Sequence, residues 1–99
     1  MDDIEITRKC AEAMGYRVGN LASKIVAFDV SPHAIIASND SGGESVYDPL
    51  NNDAQAMALA RKFPYEFEQS VIEWCNHLRR GELFNLNHYF CQMIANRES

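Results

Sequence analysis

The cysteines and histidines of this sequence are the residues that could bind a metal ion or supply a nucleophile and its base. Only Cys75 and His77 lie close together, one residue apart. Structural zinc needs two ligand pairs at characteristic spacings, and the sequence has neither a C-x-x-C nor an H-x-x-x-H pair. We therefore predict no metal ion and no cofactor. The residues considered are Cys10, Cys75, Cys91, His33, His77 and His88.

Carboxylates flank the predicted turns, but they lack the central glycine and the terminal glutamate of a calcium-binding loop. The sequence also lacks a G-x-S-x-G nucleophile elbow, a phosphate-binding loop and a dinucleotide-binding fingerprint. A Cys–His pair could assemble in three dimensions, but any chain with several of each residue offers that possibility. The sequence therefore predicts a protein that is not an enzyme. The carboxylates near turns are Asp40, Glu44, Asp48 and Asp53.

One short segment could bind an anion through its backbone. Ser41, Gly42 and Gly43 could present N–H groups as a concave nest. The same residues belong to the strongest turn signal of the chain, so a hairpin turn is the simpler explanation. A predicted helix N-terminus near Asn51 and Asn52 offers a second place for a phosphate. These residues support an alternative function, nucleotide binding.

Aromatic and acidic side chains are the candidates for contact with a partner protein. Tyrosine and tryptophan are enriched in interface anchors, and Tyr47, Tyr65 and Trp74 are the ones that could be exposed. Asp40 and Glu44 add negative charge for a partner with a basic surface. These five residues form the predicted partner-binding set.

The length and the charge exclude several classes of protein. The 99 residues have room for one domain, 1–99, and 46% hydrophobic residues are enough for a core. The net charge of −5 disfavours binding to duplex nucleic acid or to an anionic membrane. No stretch is long and apolar enough to span a bilayer, and the N-terminus is acidic where a secretion signal would be basic. We expect a cytoplasmic protein.

The first half of the chain predicts one helix followed by strands. Apolar residues fall at helical spacing over Asp3–Met14, with Asp2 or Asp3 as a cap and Gly15 after the end. The period then changes toward 2, which predicts antiparallel strands. The expected strands are Lys24–Val30, Ala34–Ser38 and Glu44–Tyr47.

The second half predicts two helices with an ambiguous segment between them. Asn52 and Gln55 resemble a capping box for a helix over Ala54–Lys62 that Pro64 stops. Within residues 65–80, Tyr65–Glu68 alternates like a strand, but a set of apolar residues also matches a helix that ends at Gly81: Phe67, Val71, Trp74, Cys75 and Leu78. A short strand leading into a helix and two further strands are both open. Asn85 can cap a final helix whose polar tail should fray. The expected fold is α+β, a layered sandwich with a small antiparallel sheet of three or more strands covered by two to three helices.

The order of these parts resembles a family of small bacteriophage proteins, the phage ABA-sandwich or NinX-like group. The matching segments are Ala11–Tyr16 (AEAMGY) at the end of the first helix, Tyr47–Ala56 (YDPLNNDAQA) before the second helix, and Phe84–Cys91 (FNLNHYFC) in the last helix. The chain departs from the family where His88 to Phe90 replace small residues, and in residues 65–80, which lack a clear hairpin turn.

The resemblance implies a layered α/β sandwich and a phage or prophage origin, with no established enzymatic activity. We expect a non-enzymatic interaction protein that binds a host factor in the bacterial cytoplasm and inhibits a host defence system, which makes it an anti-CRISPR candidate. The expected partner is a host protein with a basic surface, and a homodimer is a further possibility. The alternative is a nucleotide-binding sponge that sequesters an immune signal through Ser41, Gly42 and Gly43.

Overall fold

The computed structural model of the protein describes residues 2–21, 34–38, 44–82 and 84–98. Within these ranges, a three-stranded antiparallel sheet and four helices give the α+β fold that the sequence predicts, with one helix more than expected. The elements in chain order are α1 (Asp3–Ala13), β1 (Arg17–Leu21), β2 (Ile35–Ser38), β3 (Glu44–Tyr47), α2 (Asp53–Lys62), α3 (Pro64–Arg79) and α4 (Leu86–Arg97).

Helix α1 follows its sequence signals closely. The Asp2 carboxylate accepts a hydrogen bond from the Glu5 N–H at 2.9 Å, which satisfies one of the free donors of the first turn. Gly15 ends the helix with φ at 80°, a conformation that costs glycine little. The inward side of the helix contributes Ile6, Cys10, Ala11 and Ala13 to the core. The prediction for this helix is confirmed.

The sheet has the order β1-β2-β3, and its first strand differs from the prediction. Arg17–Leu21 pairs with β2, although we expected no strand there, and the predicted strand Lys24–Val30 lies outside the described residues. β1 has few apolar residues and an irregular register between Val18 and Leu21, so its own sequence gives a weak signal. Pairing with β2 decides its conformation instead, because strand preference depends strongly on neighbouring strands.

The connection from β3 to α2 is fastened by side chains. Asn52 accepts a hydrogen bond from the Gln55 N–H at 3.0 Å, which confirms the predicted helix cap. Gln55 does not return a bond to the Asn52 backbone, as a capping box would require. Its amide instead accepts from the Asp48 N–H at 2.6 Å and donates to the Val46 carbonyl at 2.7 Å. This side chain therefore joins the start of α2 to the end of the sheet.

Residues 64–79 form one continuous helix, which confirms the helical spacing that runs from Phe67 to Leu78. The predicted short strand at Tyr65–Glu68 and the alternative of two further strands are wrong. Pro64 does follow the end of α2, but it also opens α3, since a proline at the first helical position needs no N–H partner. The Ser70 hydroxyl is buried and donates to the Glu66 carbonyl at 2.9 Å. The apparent strand alternation at Tyr65–Glu68 is a helix start with an exposed Tyr65 and a Phe67 that packs on the core.

Helix α4 packs against the other three helices and completes the core. Asn85 caps it by accepting from the His88 N–H at 3.1 Å, as predicted. The helix continues to Arg97, whose guanidinium pairs with Glu66 and lies 5.0 Å from the centre of the Phe63 ring. The buried residues of the helix are Phe90, Cys91, Ile94 and Ala95.

Candidate functional site

The outer sides of α2 and α3 form a shallow apolar groove of about 410 Å³, which we call the α2–α3 face. Two large side chains stand out from it, Met57 with 48% and Ile72 with 46% of their surface exposed. Arg61 of α2 and Glu68 of α3 are its charged members, and both are exposed. The remaining lining residues are Ala60, Pro64, Phe67 and Val71.

The face exists because α3 carries apolar residues on more than one side. Phe67 packs against the core and meets Phe90 edge-to-face with ring centres 5.2 Å apart. Ile72 lies one helical turn after Glu68 and points away from that contact, toward solvent. A helix of a protein without binding partners usually confines its large apolar residues to the buried stripe. Ile72 lies outside such a stripe and adds an exposed apolar side chain to the α2–α3 face.

The predicted partner-binding residues do not come together in one site. Tyr47 is 4% exposed and belongs to the core, so the expectation that this side chain is exposed is wrong. The period-2 alternation of β3 directs this side chain inward. Tyr65 is 68% exposed in the first turn of α3, next to the α2–α3 face. Trp74 is half-buried and does not line the groove.

The other predicted site residues lie largely beyond the described ranges. Asp40 and the anion-binding candidates Ser41, Gly42 and Gly43 are outside them. Glu44 opens β3, where its backbone is opposite Ser38.

The N-terminus of α2, the second place considered for a phosphate, already has its own acceptors. The Asn52 side chain accepts a hydrogen bond from the Gln55 N–H. The Asp53 carboxylate accepts one from the Asn87 amide at 2.8 Å. Asp53 also places a negative charge at the positive end of the helix dipole. A phosphate would meet this carboxylate, so the geometry disfavours anion binding there.

Two of the three cysteines lie together in the core, as expected for small hydrophobic residues. Cys10 and Cys91 are fully buried, and the Cys10 thiol lies 3.4 Å from the Cys91 carbonyl oxygen. A hydrogen bond with the Cys10 thiol, and then burial, raise the pKa of Cys91 above its ordinary value of 9.0. The thiolate is the reactive form of cysteine, so Cys91 is poorly suited to nucleophilic catalysis.

Two histidines, His77 and His88, each pair with a single carboxylate near the surface. His88 Nε2 lies 2.9 Å from Asp3, and His77 Nδ1 lies 3.2 Å from Glu82. Within the four described ranges, no three His, Cys, Asp or Glu side chains gather in a group that could hold a metal ion. A membrane-spanning helix is likewise not found among the residues that the structure describes.

Comparison of the chain with known protein families, with curated proteins and with solved structures gave no match.

Met57 and Ile72 were not among the residues predicted from the sequence. The available signal is the position of Ile72 within α3, outside the half-buried apolar stripe that Phe67, Val71 and Trp74 form at helical spacing. That signal is visible only once residues 64–79 are taken as a helix. The unresolved choice between helix and strand therefore concealed the α2–α3 face.

Proposed function

We propose that this chain is a non-enzymatic, phage-encoded interaction protein that binds a host protein through the α2–α3 face. The proposed setting is the cytoplasm of the bacterial host, and the proposed effect is inhibition of a host defence component such as a CRISPR effector or an immune nuclease. The phage origin and the defence target come from the family resemblance described above.

The exposed apolar surface of α2 and α3 is the observation that carries the proposal. Interface energy is concentrated in a few large side chains that leave water completely on binding. Met57 and Ile72 are the exposed apolar residues of a groove that Phe67 also lines, and its charged residues are Arg61 and Glu68. This combination of apolar centre and polar rim is typical of a protein–protein contact.

The charge of the chain favours a protein partner over nucleic acid. A net charge of −5 repels phosphates, whereas a basic protein surface would be attracted at long range. The groove has one cation, Arg61, which is too few for a surface that follows a phosphate backbone. The proposed partner is therefore a host protein with a basic surface.

The nucleotide-binding sponge remains the alternative function. Its candidate residues Ser41, Gly42 and Gly43 lie outside the described residues, and the capped N-terminus of α2 is a poor phosphate site. A thermal-shift screen against cyclic and linear nucleotides tests it. A large rise of the melting temperature with one nucleotide would favour the sponge over the interaction protein.

Affinity capture with matched variants tests the proposed function. The tagged protein is incubated with lysate of a bacterial host, and retained proteins are identified by mass spectrometry. Ile72→Lys should abolish capture because it places a charge in the centre of the groove. Leu78→Lys is the control, since Leu78 is a similarly exposed residue of α3, 39%, that does not line the groove. Capture that survives Ile72→Lys as well as it survives Leu78→Lys would contradict the proposal.

A further inference from the structure

The α2–α3 face carries one positive and one negative side chain, one from each helix. Arg61 near the end of α2 and Glu68 in α3 both line the groove and are exposed. Neither forms a hydrogen bond or an ion pair with another residue of the described part of the chain. Glu66, on the same helix as Glu68, is in contrast already paired with Arg97. The groove therefore presents an unmatched cation and an unmatched anion beside the same apolar centre.

This arrangement is complementary to itself. In a two-fold symmetric interface, a contact from residue i of one copy to residue j of the other occurs twice, once in each direction. A second copy placed so that its α3 lies over α2 would bring its Glu68 to Arg61 and its Arg61 to Glu68. The same placement would cover Met57 and Ile72 of both copies.

We infer that the α2–α3 face is the interface of a homodimer held by reciprocal Arg61–Glu68 pairs around Met57 and Ile72. The inference uses the surface of the proposed function, but it requires no host protein. The dimer covers the face in the free protein, and a host partner that binds the face displaces the second copy. The occupancy of the face therefore depends on which of the two partners binds it more tightly.

Sedimentation velocity of the full chain, purified without host protein, tests the dimer. The wild-type protein should sediment with twice the chain mass of 11.2 kDa at high concentration and dissociate on dilution. Arg61→Glu and Glu68→Arg should each raise the dissociation constant about tenfold, because each change turns two attractive exposed pairs into two like-charge pairs. Ile72→Lys should leave a monomer, and Leu78→Lys should leave the dimer intact.

Mixing the two charge variants gives the decisive comparison. A mixed dimer contains one Arg61→Glu chain and one Glu68→Arg chain. One of its two contacts joins the introduced glutamate to the introduced arginine, and the other joins the native Glu68 of the first chain to the native Arg61 of the second. Both pairs are then attractive, so the mixture should dimerise although each variant alone is mostly monomeric. A monomeric wild type, a dimer that tolerates Ile72→Lys, or charge variants that do not recover on mixing would each overturn the inference. Host capture by a monomeric wild type would overturn the dimer and leave the proposed function standing.

Discussion

The Tyr47 phenol links the protonation of one residue to the stability of the fold. Its ring packs edge-to-face on Tyr16 with centres 5.6 Å apart, and its hydroxyl has no hydrogen-bond partner within the described part of the chain. Burial raises the pKa of Tyr47 above its ordinary value of 10.0, and the nearby thiols of Cys10 and Cys91 act in the same direction. The folded state therefore binds the proton of this phenol more tightly than the unfolded state does.

The raised pKa predicts a loss of stability at high pH. The stabilising contribution of Tyr47 is complete below about pH 10, the ordinary value, and is lost as the pH rises above it, because only the unfolded chain releases the proton there. The loss from one such group is up to about 1.4 kcal/mol per pH unit. The free energy of unfolding, measured with urea between about pH 8 and about pH 11, should fall less steeply for Tyr47→Phe than for the wild type.

Tyr65→Phe is the matched control for this measurement, because Tyr65 is mostly exposed. Its free energy of unfolding should follow the wild-type pH dependence. If the free energy of unfolding falls equally steeply with pH for Tyr47→Phe and Tyr65→Phe, then Tyr47 is not buried in solution.

At the scale of the elements, the link between β3 and α2 depends on two neighbouring side chains with different tasks. Asn52 caps the helix from its exposed end, whereas the half-buried Gln55 bonds to two backbone groups of the preceding segment. Loss of Gln55 leaves the Asp48 N–H and the Val46 carbonyl without this partner. Unsatisfied groups that are shielded from water cost more than the loss of an exposed cap.

Substitutions at these two positions should therefore differ in size. Asn52→Ala should lower the free energy of unfolding by about 1 kcal/mol and the melting temperature by about 4–8 °C, whereas Asn52→Ser keeps the cap and should melt like the wild type. Gln55→Ala should cost about 1–3 kcal/mol. Thermal and urea denaturation of the wild type, Asn52→Ala, Asn52→Ser and Gln55→Ala measures the order of their stabilities. An Asn52→Ala variant with normal melting that fails to bind its partner would make this junction a recognition loop.

The sequence alone predicts the helices whose first residues are determined by a nearby capping side chain. Asp2, Asn52 and Asn85 cap α1, α2 and α4 through bonds to residues three positions later, so neighbouring residues alone carry the information. β1 depends on its pairing with β2, which no local pattern records. The start of α3 fits both a strand and a helix pattern, and in the fold Phe67 packs there against Phe90 of α4. This long-range contact is not visible in the local sequence.

The candidate site was predicted less well, for a related physical reason. Tyr65 and Tyr47 are both tyrosines near charged residues, and their sequence context does not separate them. The inward direction of Tyr47 follows from its position in β3 opposite Ile35, and the exposure of Tyr65 follows from its position at the start of α3. Exposure is a property of the assembled fold, and so the site could be located only after α3 was known to be a helix.

At the scale of the whole molecule, the packing leaves the outer sides of α2 and α3 uncovered. α4 packs against α1, α2 and α3, and α1 also packs on β1 and β2. These contacts bury one side of α2 through Ala56, Leu59 and Ala60. Met57 and Ile72 remain exposed, and we propose that they make contacts between proteins.

Photo-crosslinking in living bacteria is the measurement that tests this assignment most directly. A photo-reactive phenylalanine analogue is placed at Ile72 in the α2–α3 face or, as a control, at the exposed Glu12 of α1. Illumination should join the chain to a second copy and to a host protein from position 72, and to neither from position 12. Adducts that form from position 12 as readily as from position 72, or from position 12 alone, would contradict the assignment of the α2–α3 face to protein contacts.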